Sequence, residues 1–350
     1  MPSSEQSAGR AAMLSFAGVD MGRSYYLFKY GRLQRHANTL QIVGEDGMKK
    51  SLPIENVDDL YCFGELDLNT KLLEFLGSKG VTLHVFNYYG FYNGSYYPRE
   101  CNVSGFLLVN QVEHYRDTEK RLVLAREFIR GALHNLKRNL RYYNTRGRDL
   151  SSSLKTIEKE EGKIDSVAGI QELMGLEGHV RRAYYKAFND ILLIDCEFER
   201  RVRHPPDNMI NALISFTNSL VYSACLSQIY VTQLTPTISF LHEPGARRFS
   251  LALDLAEIFK PMIADKILFK LINKQILCEG DFDQELKCCY LTGRARKKVV
   301  QAFDERMEST LMHRRLKRHV SYRRFIRLEC YKLVKHLTDI EPYQSLKAWW

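Results

Sequence analysis

The chain has 350 residues, enough for about two domains and a substantial core without disulfide staples. Lys and Arg number 51 against 41 Asp and Glu, a formal surplus of +10. That surplus suits a polyanion, either nucleic acid or an acidic membrane surface, or serves solubility alone. Apolar content of 45% with 26% charged residues excludes a mostly disordered chain.

Residues 1–20 show no periodicity and read as a disordered tail. Short β-like runs follow: Tyr25–Lys29 before Gly31, Leu40–Val43 before Gly44, Asp59–Phe63 before Gly64, and Val81–Asn87. A tyrosine-rich stretch punctuated by Gly90 and Gly94 runs to Tyr97, and one helix is expected over Asn69–Ser78. The period becomes helical after about Ser104, with Leu122, Ala125, Ile129, Ala132, Leu136, Leu140 and Tyr143 three or four apart. Residues 144–166 open polar and aperiodic and read as a loop or connector. Helical patterns resume at Ile170 and continue almost to the end, broken at Pro205-Pro206, Pro236 and Pro244-Gly245. The predicted fold class is α+β: a small β-rich domain over 21–103, then a larger, all-helical domain over 104–350.

The longest nearly apolar stretch, Asn211 to Val231, carries Asn, Ser, Thr and Gln throughout. It reads as a buried helix, and no membrane span is expected. The eight cysteines never form C-x-x-C, and no basic-then-apolar leader opens the chain. A zinc ribbon and a secreted disulfide scaffold lose support, and reduced thiols in a cytoplasm are expected. The charge is uneven. Residues 21–103 carry nine basic and nine acidic side chains, whereas Arg294–Lys335 has fourteen Lys and Arg against four acids. That cluster is either a DNA-backbone contact or a solvated helical face.

Two windows could do chemistry. In FLHEPGARRFSLALDLAEIFKPMIAD, His242 precedes a Pro-Gly break, and Asp254 and Glu257 are neighbours on one helix face. Acids among so many apolar residues are costly to bury unpaired. A metal, or arginines such as Arg247 and Arg248, would relieve that cost; an ordinary amphipathic helix with a solvated acidic side is the plainer alternative. In IQELMGLEGHVRRAYYKAFNDILL, Glu177 heads a helix carrying Arg181, Arg182 and Tyr184. Basic residues interleaved with aromatics suit phosphate contact and stacking, although Glu177 alone is also an ordinary first-turn carboxylate. Spacing cannot bring Glu177, His242 and Glu257 together.

LMGLEGHVRRAYY, followed about sixty residues later by FLHEPGARRFSLALDLAEIFKP, strongly resembles the CRISPR-associated integrase-nuclease family. Its members are the larger of the two proteins that insert spacers into a CRISPR array. SYYLFKYGRLQRHANTL, VDDLYCFGELDLNTKLLEFLGSKGV and PPDNMINALISFTNSLVYSACLSQIY also look like family segments, so the resemblance covers about residues 21–340. It implies a metal-dependent DNA endonuclease and integrase in a prokaryotic cytoplasm. It also implies a divalent metal, Mg²⁺ or Mn²⁺, held by Glu177, His242 and Glu257, with Asp254 behind or beside them. Other members often carry Asp at the Glu257 position. Arg247, Arg248 and Lys260 are candidate phosphate contacts, with Arg181, Arg182 and Tyr184. The implied partners are double-stranded spacer precursor and repeat DNA, a second copy of the chain, and the small second adaptation protein bridging two dimers. Two carboxylates and an imidazole suit hard divalent cations, and no thiolate set points to zinc. A repair or junction nuclease that does not integrate, and a non-catalytic DNA-binding scaffold, are the competing readings.

Overall fold

The computed structural model describes residues 22–98, 102–194, 198–203, 205–245, 249–285 and 288–350. The expected tail over 1–20 and both Arg247 and Arg248 lie outside the described residues. The chain divides into two compact units, one holding the residues up to Leu83 with a short return from Tyr96, the other His84–Ser95 and the rest.

In the first unit, β1 (Arg23–Leu27) pairs in parallel with β5 (Val57–Cys62), and β7 (Thr82–Phe86) begins beside β5. A second sheet has the order β4-β3-β2-β6, from β2 (Gly31–His36), β3 (Thr39–Gly44), β4 (Lys49–Pro53) and β6 (Leu66–Asp67). The β2–β3 turn is two residues long, with His36 opposite Thr39 and Ala37 at φ 52, the positive φ that a tight hairpin demands. Helix α1 (Thr70–Lys79) buries Leu72, Phe75 and Leu76, one apolar stripe, against Leu33, Leu40 and Leu60. Asn69 caps its N-terminus by accepting from Leu72 N at 2.9 Å, and Gly80 ends it at φ 70.

The second unit is built on α2 (Gly105–Arg116), α3 (Thr118–Asn144), α4 (Ser151–Glu161), α5 (Ile170–Lys186), the short α6 (Phe188–Ile191) and α7 (Met209–Tyr230). Next come α8 (Ser250–Phe259), a π-helical turn over Pro261–Asp265, α9 (Lys266–Asn273), α10 (Gly293–Glu308) and α11 (Tyr322–Leu337). Two hairpins, β9 (Phe282–Glu285) with β10 (Cys288–Leu291) and β11 (Thr310–His313) with β12 (Arg318–Ser321), join the helical pattern. Helix α7 is long and apolar enough to cross a membrane by length and composition, yet 83% of its apolar window is buried. Its buried polar side chains find partners, some within the helix, as where Thr217 Oγ1 donates to Leu213 O at 2.8 Å, and some distant, as where Gln228 accepts from Arg327.

Three local expectations change. The segment expected as a connector contains α4, which packs between α3 and α5. Its period was faint because Ile157 is its only buried residue; Arg141–Glu158 at 2.8 Å and Lys137–Glu161 tie it down instead. The region after Ile170 is not helical throughout, since the two hairpins interrupt it. The unit division falls inside β7, not near residue 103. Residues 84–95, containing β8 (Tyr92–Tyr96) as far as Ser95, pack with the helices: His84 Nε2 lies 2.6 Å from Ser227 Oγ on α7.

Candidate active site

Helix α5 turns Leu173, Leu176, Val180 and Tyr184 into the core, leaving Glu177 and Arg181 together on a flanking face, four residues apart. Arg181 Nε donates to Glu177 Oε1 at 2.7 Å, while its Nη2 donates to Glu257 Oε2. Glu257 sits on α8, whose apolar side chains force it and Asp254 below the surface, at 7% and 0% exposure. Buried carboxylates need partners, and Lys260 Nζ supplies a second one for Glu257 at 2.5 Å.

Asp254 shapes the third corner. Its Oδ2 accepts from Phe240 N at 2.7 Å and Leu241 N at 2.9 Å. Its Oδ1 accepts from His242 N at 2.9 Å and pairs with His242 Nδ1 at 2.7 Å. One buried carboxylate therefore folds the 240–242 loop and orients the imidazole. Since a carboxylate only accepts, Nδ1 carries the proton and Nε2 is the basic nitrogen of the neutral ring. Burial alone would lower the His242 pKa, but the hydrogen bond and charge of Asp254, aided by Glu257, raise it above 6.5. Burial opposes ionisation of Glu257 too, yet Arg181, Lys260 and His242 hold its carboxyl well below the usual range. Glu177, His242 and Glu257 thus converge on one cation-rich patch within the second unit.

The donor chemistry fits a hard divalent cation: two carboxylates and an imidazole nitrogen whose other nitrogen is fixed by an outer carboxylate. As placed, Arg181 and Lys260 neutralise the carboxylates, and among the described residues no group of three His, Cys, Asp or Glu side chains closes into a ready metal cage. A cation at Glu177 and Glu257 would compete with Arg181 and Lys260 for the same carboxylates.

The family model described as CRISPR associated protein Cas1 matches residues 25–305. The chain is 47% identical over 338 residues to the CRISPR-associated endonuclease Cas1 of Fusobacterium nucleatum, covering 97% of this chain and 100% of that protein. The chain belongs to the Cas1 family. A second Cas1 endonuclease, from Moorella thermoacetica, is 51% identical over 330 residues, covering 94% of this chain and 100% of its own. The solved structure of a Cas1 protein from Thermotoga maritima superposes with a TM-score of 0.83 at 38% identity, covering 93% of this chain and 99% of that one. The β-rich first part and helical second part are therefore the Cas1 fold.

Against this Cas1 frame the remaining sequence candidates separate. Tyr184 is fully buried: its hydroxyl donates to Asp265 Oδ2 at 2.9 Å and accepts from Asn139 Nδ2 at 3.0 Å, so it contacts no DNA. Arg181 and Lys260 are bound to the site carboxylates rather than offered outward. Arg182 is exposed. Asp265 escaped the sequence reading, although an acid in the run PMIAD signals a buried partner; burial pushes its carboxyl up to about 6 against the pull of Arg181 and Tyr184.

Proposed function

We infer that this chain is a metal-dependent DNA endonuclease and integrase of CRISPR adaptation, joining spacer DNA to the repeat array by 3′-hydroxyl attack on a phosphodiester. The observation that carries the reading is the Arg181-bridged pair Glu177–Glu257 beside an Asp254-oriented His242, in a chain of the Cas1 family. Glu177, Glu257 and His242 would hold Mg²⁺ or Mn²⁺, which would polarise the phosphoryl oxygens and orient the oxygen nucleophile. Asp254 keeps the imidazole in its Nδ1-protonated tautomer throughout. Arg181, released from one carboxylate, and Lys260 offer positive charge to the phosphate as negative charge builds on it. Exposed Arg182 meets the DNA backbone beside them. One P–O bond forms as another breaks, so no nucleotide cofactor is needed. With water as nucleophile the same site cleaves.

The substrate is double-stranded precursor and repeat DNA in a prokaryotic cytoplasm, and the assembly is a homodimer bridged to another by the small second adaptation protein. The basic segment Arg294–Lys335 supports DNA contact only in part. Arg323 pairs with Glu308 at 3.0 Å and Arg327 with Gln228 at 2.8 Å. Arg294, Arg314, Lys317 and Arg318 face outward.

Alanine at Glu177, His242 or Glu257 is expected to lower Mn²⁺-dependent cleavage of plasmid DNA at least about a hundredfold, with gel-shift affinity for the same DNA unchanged. Full cleavage by all three variants would return the chain to a binding scaffold.

A further inference from the structure

A recess of about 420 Å³ opens between the C-terminal end of α3 and the outer face of α9, inside the second unit. Such a volume falls within the usual range of ligand pockets, about 300–1,000 Å³. Two helical stripes make it. From α3 come Tyr142, Tyr143 and Arg146; from α9 and just beyond come Lys266, Phe269, Lys270 and Lys274, on one face by their spacing. No acid lines it. Lys270 reaches out to Glu305 at 3.1 Å, while Lys266, Lys274 and Arg146 carry no ion pair among the described residues. Lysines four residues apart repel one another along α9, and Arg138 and Arg306 add positive charge at Lys266. The aromatic part is ordered: Tyr143 meets Phe269 edge-on at 5.3 Å and Tyr142 at 5.1 Å, and Arg146 lies over the Tyr142 ring at 4.7 Å.

The recess is distinct from the Glu177–Glu257 patch. None of Glu177, His242 and Glu257 lines it, and of the buried Asn139–Tyr184–Asp265 hydrogen-bond chain only Asn139 reaches it. Along α5, Tyr184 lies two turns, about 10 Å, beyond Glu177. Cations around a stacking surface fit a nucleoside phosphate, whose base has a π-face and whose phosphate is anionic. A recess lined by two helices and of this size suits one nucleotide rather than a duplex with both its backbones. We propose that this recess binds one unpaired nucleotide, its base against Tyr142 and Tyr143 and its phosphate among Arg146, Lys266 and Lys274. As a site on a DNA strand it rests on the reading of the chain as a DNA enzyme.

The test is binding by the full chain without divalent metal, so that no chemistry intervenes. Fluorescence anisotropy follows a short oligothymidylate and a blunt duplex, for the wild type, Tyr142→Ala and Lys266→Glu. Tyr142 is 50% exposed, so its truncation leaves the core intact. Each variant is expected to weaken single-strand binding about tenfold and duplex binding less than about twofold. An oligonucleotide carrying 5-iodouracil is expected to photocrosslink at Tyr142 or Tyr143. Competition by thymidine monophosphate assigns the recess to free nucleotides as well; competition by oligonucleotide alone assigns it to a strand. Unchanged single-strand binding in both variants, or equal loss for duplex and single strand, overturns the proposal. Failure to bind any DNA overturns it together with the assigned function.

Discussion

Asp254 and Arg181 govern the site, though neither is among its proposed metal ligands. Asp254 spends all its acceptor capacity on three backbone amides and one imidazole, so the loop holding His242 cannot rotate away without orphaning a buried charge. Arg181 and Lys260 do the same for Glu257. Removing only the Glu257 charge leaves Lys260, at 16% side-chain exposure, without its ion partner and Arg181, at 13%, with Glu177 alone. Metal-free Glu257→Gln is therefore expected to unfold about 3 kcal/mol more easily in urea. Equal stability would mean that the ion pairs contribute nothing. At this scale the sequence singled out Glu177, His242, Glu257 and Asp254 within two separate windows, but joined them into one site only through the family resemblance, because spacing cannot join α5 to α8. Tyr184 was misread for a reason already in the sequence. It continues the apolar stripe of Leu173, Leu176 and Val180, and stripe position outranks aromatic character in deciding burial.

Elements were most legible where a period repeats several times. Helix α3 and the buried α7 follow from their apolar spacing, and α1 from its spacing and its Asn and Gly ends. Helix α4 was hidden because ion pairs rather than apolar contacts hold it. The hairpin 84–95 looked like part of the β-rich domain because strand pattern is local, whereas its anchor, Ser227, lies 143 residues away in sequence. That anchor gives the element a pH signature. His84 hydrogen-bonds Ser95 and Ser227 through its two ring nitrogens, and burial pushes its pKa down to about 3. Between pH 6.5 and about 3 the unfolded chain binds the proton that the folded chain refuses. The stability gained from the neutral ring is full above 6.5 and lost as pH falls, by about 1.4 kcal/mol per pH unit. Urea midpoints across this window are expected to fall less steeply for His84→Gln than for the wild type. Parallel curves would show that His84 is charged in the fold.

Across the whole molecule, the +10 surplus lies in the helical part, since residues 21–103 balance nine basic against nine acidic side chains. The fold shows why charge counting alone overstates a DNA surface. Arg306 donates to Met262 O, and Arg323 and Arg327 are likewise spent inside the protein. What remains outward is concentrated at Arg294 and in the turn of the β11–β12 hairpin. Fold class was readable from the change of hydrophobic period near residue 104; the joining of Glu177, His242 and Glu257 was not, because it depends on how α5, α8 and the 240–242 loop pack.

The most direct measurement of the central claim uses an end-labelled precursor, a repeat-bearing plasmid and Mn²⁺, with the small partner protein supplied. A joined product is expected with a free 3′-hydroxyl, lost when that end is dideoxy-terminated and lost in Glu177→Ala. Plasmid nicking without any joined product, or joining that ignores the 3′ end, would contradict integration by this site.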